Sequence, residues 1–235
     1  MMKTTLLTYF LTLSLSVLML VPAVAGDKSI ALAVKVIRDV STKTETIDWT
    51  QTKKGDLIYS GDHVRTGDRS IAIVKFTDNS ILRVREQSEL QIIGEQKDSV
   101  LQKNVHLTKG QFSFDIQKQT ENEKFIFSSP TSVAAIRGTQ GTFTRLDSGD
   151  VVVVLQGLVN LINTVTNTST DIGAGQTGVS NDNGTVTVHT STKSETDAAQ
   201  QSVNAGNGGG KINILDIDLK DAQNNKKRLH IKYKE

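Results

Sequence analysis

Cysteine is absent from the 235 residues, and proline occurs only twice. Without a thiol the chain has no disulfide bond, no cysteine zinc ligand, no cysteine nucleophile and no attachment point for a lipoprotein anchor. Stability therefore has to come from a hydrophobic core alone. An excess of one charge is also missing, because 27 Lys and Arg oppose 25 Asp and Glu. We expect no nucleic-acid surface from so balanced a composition.

The residues that are abundant favour β structure. Thr, Val, Ile, Ser, Asn and Gly recur in short runs separated by turn-forming residues, which is typical of strands. Phe112, Phe114 and Ile116 alternate with the polar residues Gln111, Ser113 and Asp115, so one face of that strand should be buried and the other exposed to solvent. Val151–Leu155 is continuously apolar and predicts a strand buried on both faces. The sequence therefore predicts an all-β fold, either a solenoid-like or a sandwich stack of short strands, and periodicity does not separate the two.

The first 25 residues have the pattern of a secretory signal peptide. Lys3 gives a positive start, Leu6–Val21 is apolar, Pro22 breaks the helix, and Ala23–Ala25 forms a small-residue cleavage site before Gly26. An uncleaved membrane anchor is the alternative, since an apolar run of ~20 residues can span a bilayer. Cleavage is the favoured interpretation. It predicts a periplasmic or secreted protein that is not a lipoprotein.

The remaining chain divides into three predicted parts. Residues 27–189 form the β domain, in which no segment has a convincing helical period. Residues 190–210 are polar and predict a solvated linker, with a short helical piece around residues 197–203. Residues 211–235 predict a C-terminal β-hairpin whose lysines suit an exposed edge. We expect this hairpin to dock on the main domain, because an isolated hairpin is marginal in water.

Five motifs, in order between about residues 30 and 188, resemble the signature of the FecR domain. The most informative is Ser128–Phe143, with the sequence SSPTSVAAIRGTQGTF, in which Pro130 and two glycines predict an extended segment, a tight turn and a second extended segment. The other four motifs are Gly61–Val84, Leu107–Ile116, Gly157–Val159 and Gly173–Thr177.

The resemblance implies a solenoid-like twisted stack of short strands and a regulatory function. The FecR domain is best known as the extracytoplasmic part of iron-uptake signal transducers, and it also occurs alone in secreted bacterial proteins. In those transducers a sigma-factor-binding segment and a membrane span precede the domain. Here a signal-peptide-like segment stands in that place, so the iron-signalling role is only implied.

Catalytic chemistry is not indicated by any combination of residues. The four histidines (His63, His106, His189 and His230) are scattered and lack metal-ligand spacing. Asp62 and His63 could form an acid–base pair, but neighbours on a strand point to opposite faces, and a turn is the favoured interpretation. Asp78 and Ser80 are typical turn residues. No G-x-S-x-G motif is present. We therefore predict no catalytic, cofactor-binding or metal-binding residue and no cofactor.

Three features remain candidates for binding. Arg137 could hold a carboxylate of a ligand or partner, although an internal ion pair or a bond to turn carbonyls is favoured. Trp49 and Tyr59 could form a sugar-stacking platform or could equally belong to the edge of the core. The run from Lys226 to Arg228 is expected to be a solvated turn.

These observations together predict a non-enzymatic, exported protein of the bacterial envelope. It should act through protein–protein interaction, either signalling, regulatory or structural. The partner is expected to be an envelope protein, with the interface on an exposed strand edge or on the C-terminal hairpin. The alternative is a module that binds polysaccharide or peptidoglycan. An exposed aromatic platform would favour the glycan, and an apolar strand edge or patch would favour a protein partner.

Overall fold

The computed structural model describes residues 29–97, 100–119, 124–207, 212–220 and 226–234. The predicted signal peptide lies outside these residues. The described chain contains nineteen strands and one helix, α1 (Lys193–Asn204). The strands are β1 (Ala31–Ile37), β2 (Val40–Lys43), β3 (Thr50–Gln51), β4 (Leu57–Ile58), β5 (His63–Thr66), β6 (Ile71–Phe76), β7 (Ile81–Val84), β8 (Glu89–Lys97), β9 (Val100–Asp115), β10 (Phe125–Ser128), β11 (Ser132–Ile136), β12 (Gln140–Leu146), β13 (Gly149–Gln156), β14 (Leu158–Asn163), β15 (Thr168–Gly173), β16 (Gln176–Asn181), β17 (Val186–Thr190), β18 (Ile212–Lys220) and β19 (Lys226–Lys234).

Seventeen of these strands form one continuous sheet that folds into two faces. Face A has the order β4-β1-β6-β7-β9-β12-β13-β16-β17. Face B has the order β3-β2-β5-β8-β9-β10-β11-β14-β15. From β10 onwards the chain alternates between the faces one hairpin at a time. The predicted all-β class is therefore confirmed, with the layers of a sandwich and the winding of a solenoid.

Strand β9 belongs to both faces. Its first part pairs with β8 and with β10, and the β9–β10 pair is parallel. Beyond Gly110 the strand pairs with β7 and β12 in face A. The sixteen-residue strand is therefore the covalent hinge at which the two faces are joined.

Phenylalanine rings fill the space between the faces. Phe127 of face B lies with its ring centroid 4.8 Å from those of Phe112 and Phe114 in face A, and 6.0 Å from that of Phe143. All four side chains are fully buried. Edge-to-face and tilted contacts of this kind add to the free energy gained from burial. The buried face predicted at Phe112, Phe114 and Ile116 is confirmed, since all three are buried. The predicted solvent-exposed face is wrong at Ser113, which has no exposed surface because α1 covers it.

Helix α1 begins with a complete capping box. The Thr192 side chain accepts a hydrogen bond from the Glu195 backbone, and the Glu195 carboxylate accepts one from the Thr192 backbone N–H at 2.7 Å. These two bonds satisfy amides that the first helical turn leaves free. Ala199, Ser202 and Val203 are buried. The predicted helical piece at residues 197–203 is thus present within a longer helix, but it is packed on the domain rather than solvated.

The helix crosses the outer surface of face A along one row of cross-strand neighbours. This row consists of Lys35, Ile73, Arg83, Ser113, Thr142, Val153, Thr177 and His189. Twelve helical residues span about 18 Å, which matches about four strand spacings. Ser113 Oγ donates a hydrogen bond to the Ser202 carbonyl at 2.8 Å. At the C-terminal end Lys35 Nζ donates to the Gly206 carbonyl at 2.6 Å.

The helix explains the burial of β13. Val152 and Val154 point into the core and are fully buried, whereas Val153 points outward and is still only 7% exposed. Val153 lies in the row that α1 covers. The prediction that the apolar run is buried on both faces is confirmed for these three central valines, with a helix as the second cover.

Two glycines of the motif, Gly138 in the Arg-Gly-Thr turn and Gly141 in β12, are needed for different reasons. Gly138 has a φ of +66°, a conformation that residues with a Cβ atom resist. Gly141 has no positive φ, but a Cβ atom there would overlap the carbonyl oxygen of Val153 on the neighbouring strand. Both expected roles, positive φ and close backbone approach, are therefore present.

The C-terminal hairpin forms a separate two-stranded sheet. Strands β18 and β19 pair antiparallel, with Ile212 opposite Lys234 and Lys220 opposite Lys226. The predicted hairpin is thus present in the backbone. The run from Lys226 to Arg228, expected to be a solvated turn, is instead the start of β19. Docking of the hairpin on the main domain stays a prediction.

We predict that truncating Phe114 to alanine destabilises the protein by about 3–5 kcal/mol, because a fully buried phenylalanine leaves a cavity. Leu158→Ala is the control, since Leu158 is 52% exposed and its truncation should change the free energy of unfolding by less than about 0.5 kcal/mol. Urea unfolding followed by circular dichroism measures both. A loss below about 1 kcal/mol for Phe114→Ala would contradict the aromatic core as described.

Candidate functional site

A polar cluster holds the Ser-Pro-Thr-Ser turn of the motif. Ser129 Oγ donates to Asp150 at 2.6 Å, and Thr131 Oγ1 donates to Asp182 at 2.8 Å. Arg145 donates a hydrogen bond to Asp182 from each of two nitrogens, at 2.8 and 2.9 Å, and its Nη1 lies 3.4 Å from Asp150 Oδ2. Asp150 has no exposed surface. The turn is therefore tied to β12, β13 and the turn after β16.

The chemistry of this cluster is that of a structural clamp. The bonds from Arg145 and Thr131 lower the pKa of Asp182, and the bond to Asp182 raises the pKa of Arg145. Both groups are thus held in their charged forms at neutral pH. Their hydrogen bonds are directed at each other and at the turn.

One serine–histidine pair does have the spacing of a nucleophile and a base. His106 Nδ1 lies 3.0 Å from Ser128 Oγ on the outer surface of face B. The Ser128 hydroxyl, however, donates to Asn104 Oδ1 at 3.1 Å, so its one proton points away from the histidine. His106 is then the donor of the pair. Burial lowers the pKa of His106, and nearby His63 adds to that effect. Sequence reasoning missed this pair because its members lie 22 residues apart.

A buried ion pair stabilises one end of the core. Lys103 is only 2% exposed, and its Nζ donates to Asp78 Oδ2 at 2.6 Å. Gln119 donates to the same oxygen at 3.0 Å, and the Ser80 backbone N–H donates to Oδ1 at 3.0 Å. Burial alone would raise the pKa of Asp78, but these bonds outweigh it and the pKa is lowered. The predicted turn role of Asp78 and Ser80 is present, whereas the link to Lys103 was not foreseen.

The remaining candidate residues, Arg137 and Asp62, have different surroundings in the structure. Arg137 is exposed, and no ion pair or side-chain hydrogen bond to it is present in the described chain, so the expected internal ion pair or bond to turn carbonyls stays a prediction. The Asp62 carboxylate accepts the Tyr59 backbone N–H at 2.8 Å, as expected of a turn. Burial raises the pKa of Asp62, and this bond opposes the rise.

Trp49 does not form a platform with Tyr59. The Arg65 guanidinium lies 4.2 Å from the centroid of the Trp49 ring, and the His63 ring meets it edge-on with centroids 6.4 Å apart. One face of the indole is therefore already covered by a cation, which is a favourable arrangement in itself. Stacking of a sugar on that face would require Arg65 to move.

An apolar patch remains on the outer surface of face B. It consists of Ile93, Ile126, Val133, Ala135 and Ile162, which are half-buried or, for Ala135, exposed. Ile126 lies opposite Ala135, and Val133 lies opposite Ile162. Unlike face A, this face has no helix across it in the part of the chain that is described. Asn104 lies between Ile93 and Ile126, so the patch is apolar with one polar residue within it. An apolar surface on a sheet is typical of an interaction site.

Neither a metal centre nor a membrane span is found among the described residues. No group of three or more His, Asp or Glu side chains there could hold a metal ion. The helix of that region is too short and too polar to cross a bilayer.

We predict that Asp78→Asn destabilises the protein by about 3 kcal/mol at pH 7, because it leaves the buried Lys103 ammonium without its anionic partner. Lys193 and Asp197 provide the control, since that pair has a similar length of 2.8 Å but both side chains are exposed. Asp197→Asn should cost less than about 0.5 kcal/mol.

The pH dependence of that prediction has a definite sign. The pKa of folded Asp78 lies below its unfolded value, so the carboxylate stabilises the fold above about pH 4 and loses that contribution as the pH falls further. Urea unfolding at pH 7 and at pH 3 should therefore show a smaller difference between wild type and Asp78→Asn at pH 3. An equal difference at both values would contradict the assignment.

Comparison with known proteins agrees with the sequence motifs. Two crystal structures of a putative anti-sigma factor from Parabacteroides distasonis ATCC 8503, at 1.65 and 2.50 Å resolution, are each 15% identical to this chain, with a TM-score of 0.48 over 64% of this chain and 67% of that one. No curated protein matches the sequence. Residues 62–160, which run from β5 into β14, match the family model described as FecR protein. The family assignment therefore applies to residues 62–160, which match the FecR domain.

Proposed function

We propose that this FecR-domain protein is a non-enzymatic regulatory or signalling component of the bacterial envelope that works by binding another protein. The observation that carries the proposal is the apolar patch on face B. Four of its five residues lie within the segment that matches the family, and face A, by contrast, is covered by α1. We therefore place the interface on a sheet face. The sequence had predicted it on a strand edge or on the C-terminal hairpin.

The glycan alternative has less support. Sugar-binding surfaces commonly use exposed aromatic rings, which present an apolar face and a polar tip. Trp49 is stacked under Arg65 instead. A flat patch of isoleucine and valine offers few hydrogen bonds to sugar hydroxyls, whereas it suits the apolar surface of a protein partner.

The absence of catalysis belongs to the same proposal. The acidic side chains of Asp78, Asp150 and Asp182 are bonded to turns and to internal cations. The Ser128 hydroxyl is oriented toward Asn104 rather than toward His106. We therefore expect the purified protein to show no hydrolysis of envelope glycans.

Export is the first part of the proposal to test. Because Pro22 and the Ala23–Ala25 site follow an apolar run, the mature chain should begin at Gly26. Intact-mass measurement of the protein isolated from its own envelope checks this. A full-length, membrane-bound species would instead indicate an uncleaved anchor.

We predict that Val133→Lys with Ile162→Glu abolishes partner capture. The two side chains lie opposite each other on face B, so the introduced charges can pair and the fold should be retained. Thr144→Lys with Val151→Glu is the matched control, since these residues are opposite neighbours on the outer surface of face A. Affinity capture with the mature protein from its own envelope, followed by mass spectrometry, measures the effect.

A third variant separates the face from the hairpin. Deletion of residues 211–235 should leave capture intact if the patch is the interface. Loss of the same partner in the deletion variant, together with its retention in the face B variant, would move the interface to the hairpin and overturn the assignment. Circular dichroism of each variant establishes that the main domain is still folded.

A further inference from the structure

The edge strands at the two ends of the strand stack differ in length. At the end formed by the early strands, the edges are β3 and β4, which are only two residues long each. At the other end, the edges are β15 with six residues and β17 with five. Short edge strands are a common protection against pairing with another chain. The late end lacks that protection.

Strand β17 also lacks the other protective devices. Its sequence, Val-Thr-Val-His-Thr, contains no lysine, no arginine and no proline, and no register shift interrupts its pairing with β16. Helix α1 follows directly but turns back across face A toward β1, which leaves the outer edge of β17 uncovered by any described element.

The hydrogen bonds of the β16–β17 hairpin show which groups point outward. The Asn181 N–H donates to the Thr185 carbonyl at one end, and the Ser191 N–H donates to the Gly175 carbonyl at the other, both at 2.8 Å. In an antiparallel pair the bonded residues alternate, so Thr187 and His189 face β16. The N–H and C=O groups of Val186, Val188 and Thr190 therefore point away from it.

We propose that β17 pairs antiparallel with β17 of a second copy of this chain, about a two-fold axis through Val188. Val188 then lies opposite its own copy, and Val186 lies opposite Thr190 of the second copy. These three residue pairs can form roughly six backbone hydrogen bonds. An interface built from one segment meeting itself is the isologous kind found in most homodimers.

Side chains and charges are compatible with this symmetry. Val186 and Val188 are partly buried and pack against the core, so pairing would continue the apolar inner layer from one copy into the next. The one titratable residue of β17, His189, lies opposite Thr187 of the second copy rather than opposite its own counterpart. His189 is also 3.2 Å from Glu195 of its own chain, which would compensate its charge when it is protonated.

Proline variants test the pairing, because proline is tolerated on an edge strand where its missing N–H faces outward. Sedimentation velocity of the mature protein should show a concentration-dependent dimer. Val188→Pro removes two of the hydrogen bonds at the axis and should weaken the dimer at least about tenfold. Thr190→Pro, at an exposed position, should also weaken it, and Thr187→Ala should not.

The measurements distinguish loss of strand pairing from loss of the fold. Unchanged circular dichroism of Thr190→Pro shows that the fold is intact even if Val188→Pro loses core packing. A monomer at every concentration, or a dimer that is insensitive to both proline variants, would overturn the proposal. This inference goes beyond the proposed function and does not depend on it, because partner capture is tested on face B with residues that are not in β17.

Discussion

The structure depends on one strand that has to serve two faces. Strand β9 is hydrogen-bonded on both sides over part of its length in face B and again in face A. Its inward side chains, Val105 and Leu107 before the bend and Phe112 and Phe114 after it, are all fully buried. The strand therefore brings both faces to the same core and determines the phase in which every neighbouring strand must pair, since a slip of one residue would turn the apolar set outward.

Much of this arrangement could be predicted from residues. Period-two alternation identified the buried phase of β9, and the turn residues identified the hairpins and the Arg-Gly-Thr turn. The motif resemblance pointed to the FecR family, whose model matches residues 62–160. What periodicity could not supply was the partner of each strand, because alternation shows which face is buried and not which strand lies beside it. That is why sandwich and solenoid stayed alternatives until the pairings were known.

The predictions that failed or were missed also depended on contacts between residues that are distant in the sequence. Residues 193–204 were expected to be solvated because they are polar in composition. The helix buries only Ala199, Ser202 and Val203, against small side chains such as Ser113, so its apolar stripe is too narrow to stand out in the sequence. Lys103 has the inward phase of Val105 and Leu107, which could have signalled a buried lysine, but its acceptor Asp78 is 25 residues away. Arginine often forms internal ion pairs, but nothing in the sequence showed that Arg145 would be the partner of Asp182.

The distribution of charge gives these polar residues a structural role. The ion pairs and hydrogen bonds formed by Asp78, Asp150 and Asp182 lie at the ends of the sandwich, where turns leave backbone groups without strand partners and the chain has no disulfide to hold them. Hydrogen bonds from turn donors and from a neighbouring cation stabilise the charged form of a carboxylate and lower its pKa, as at Asp78 and Asp182. The binding that we propose falls to surfaces on which no such demand is placed. In the described chain these are the apolar patch of face B and the free edge of β17, and the two point in different directions, so a dimer formed through β17 would leave the face B patch of each copy open to a partner.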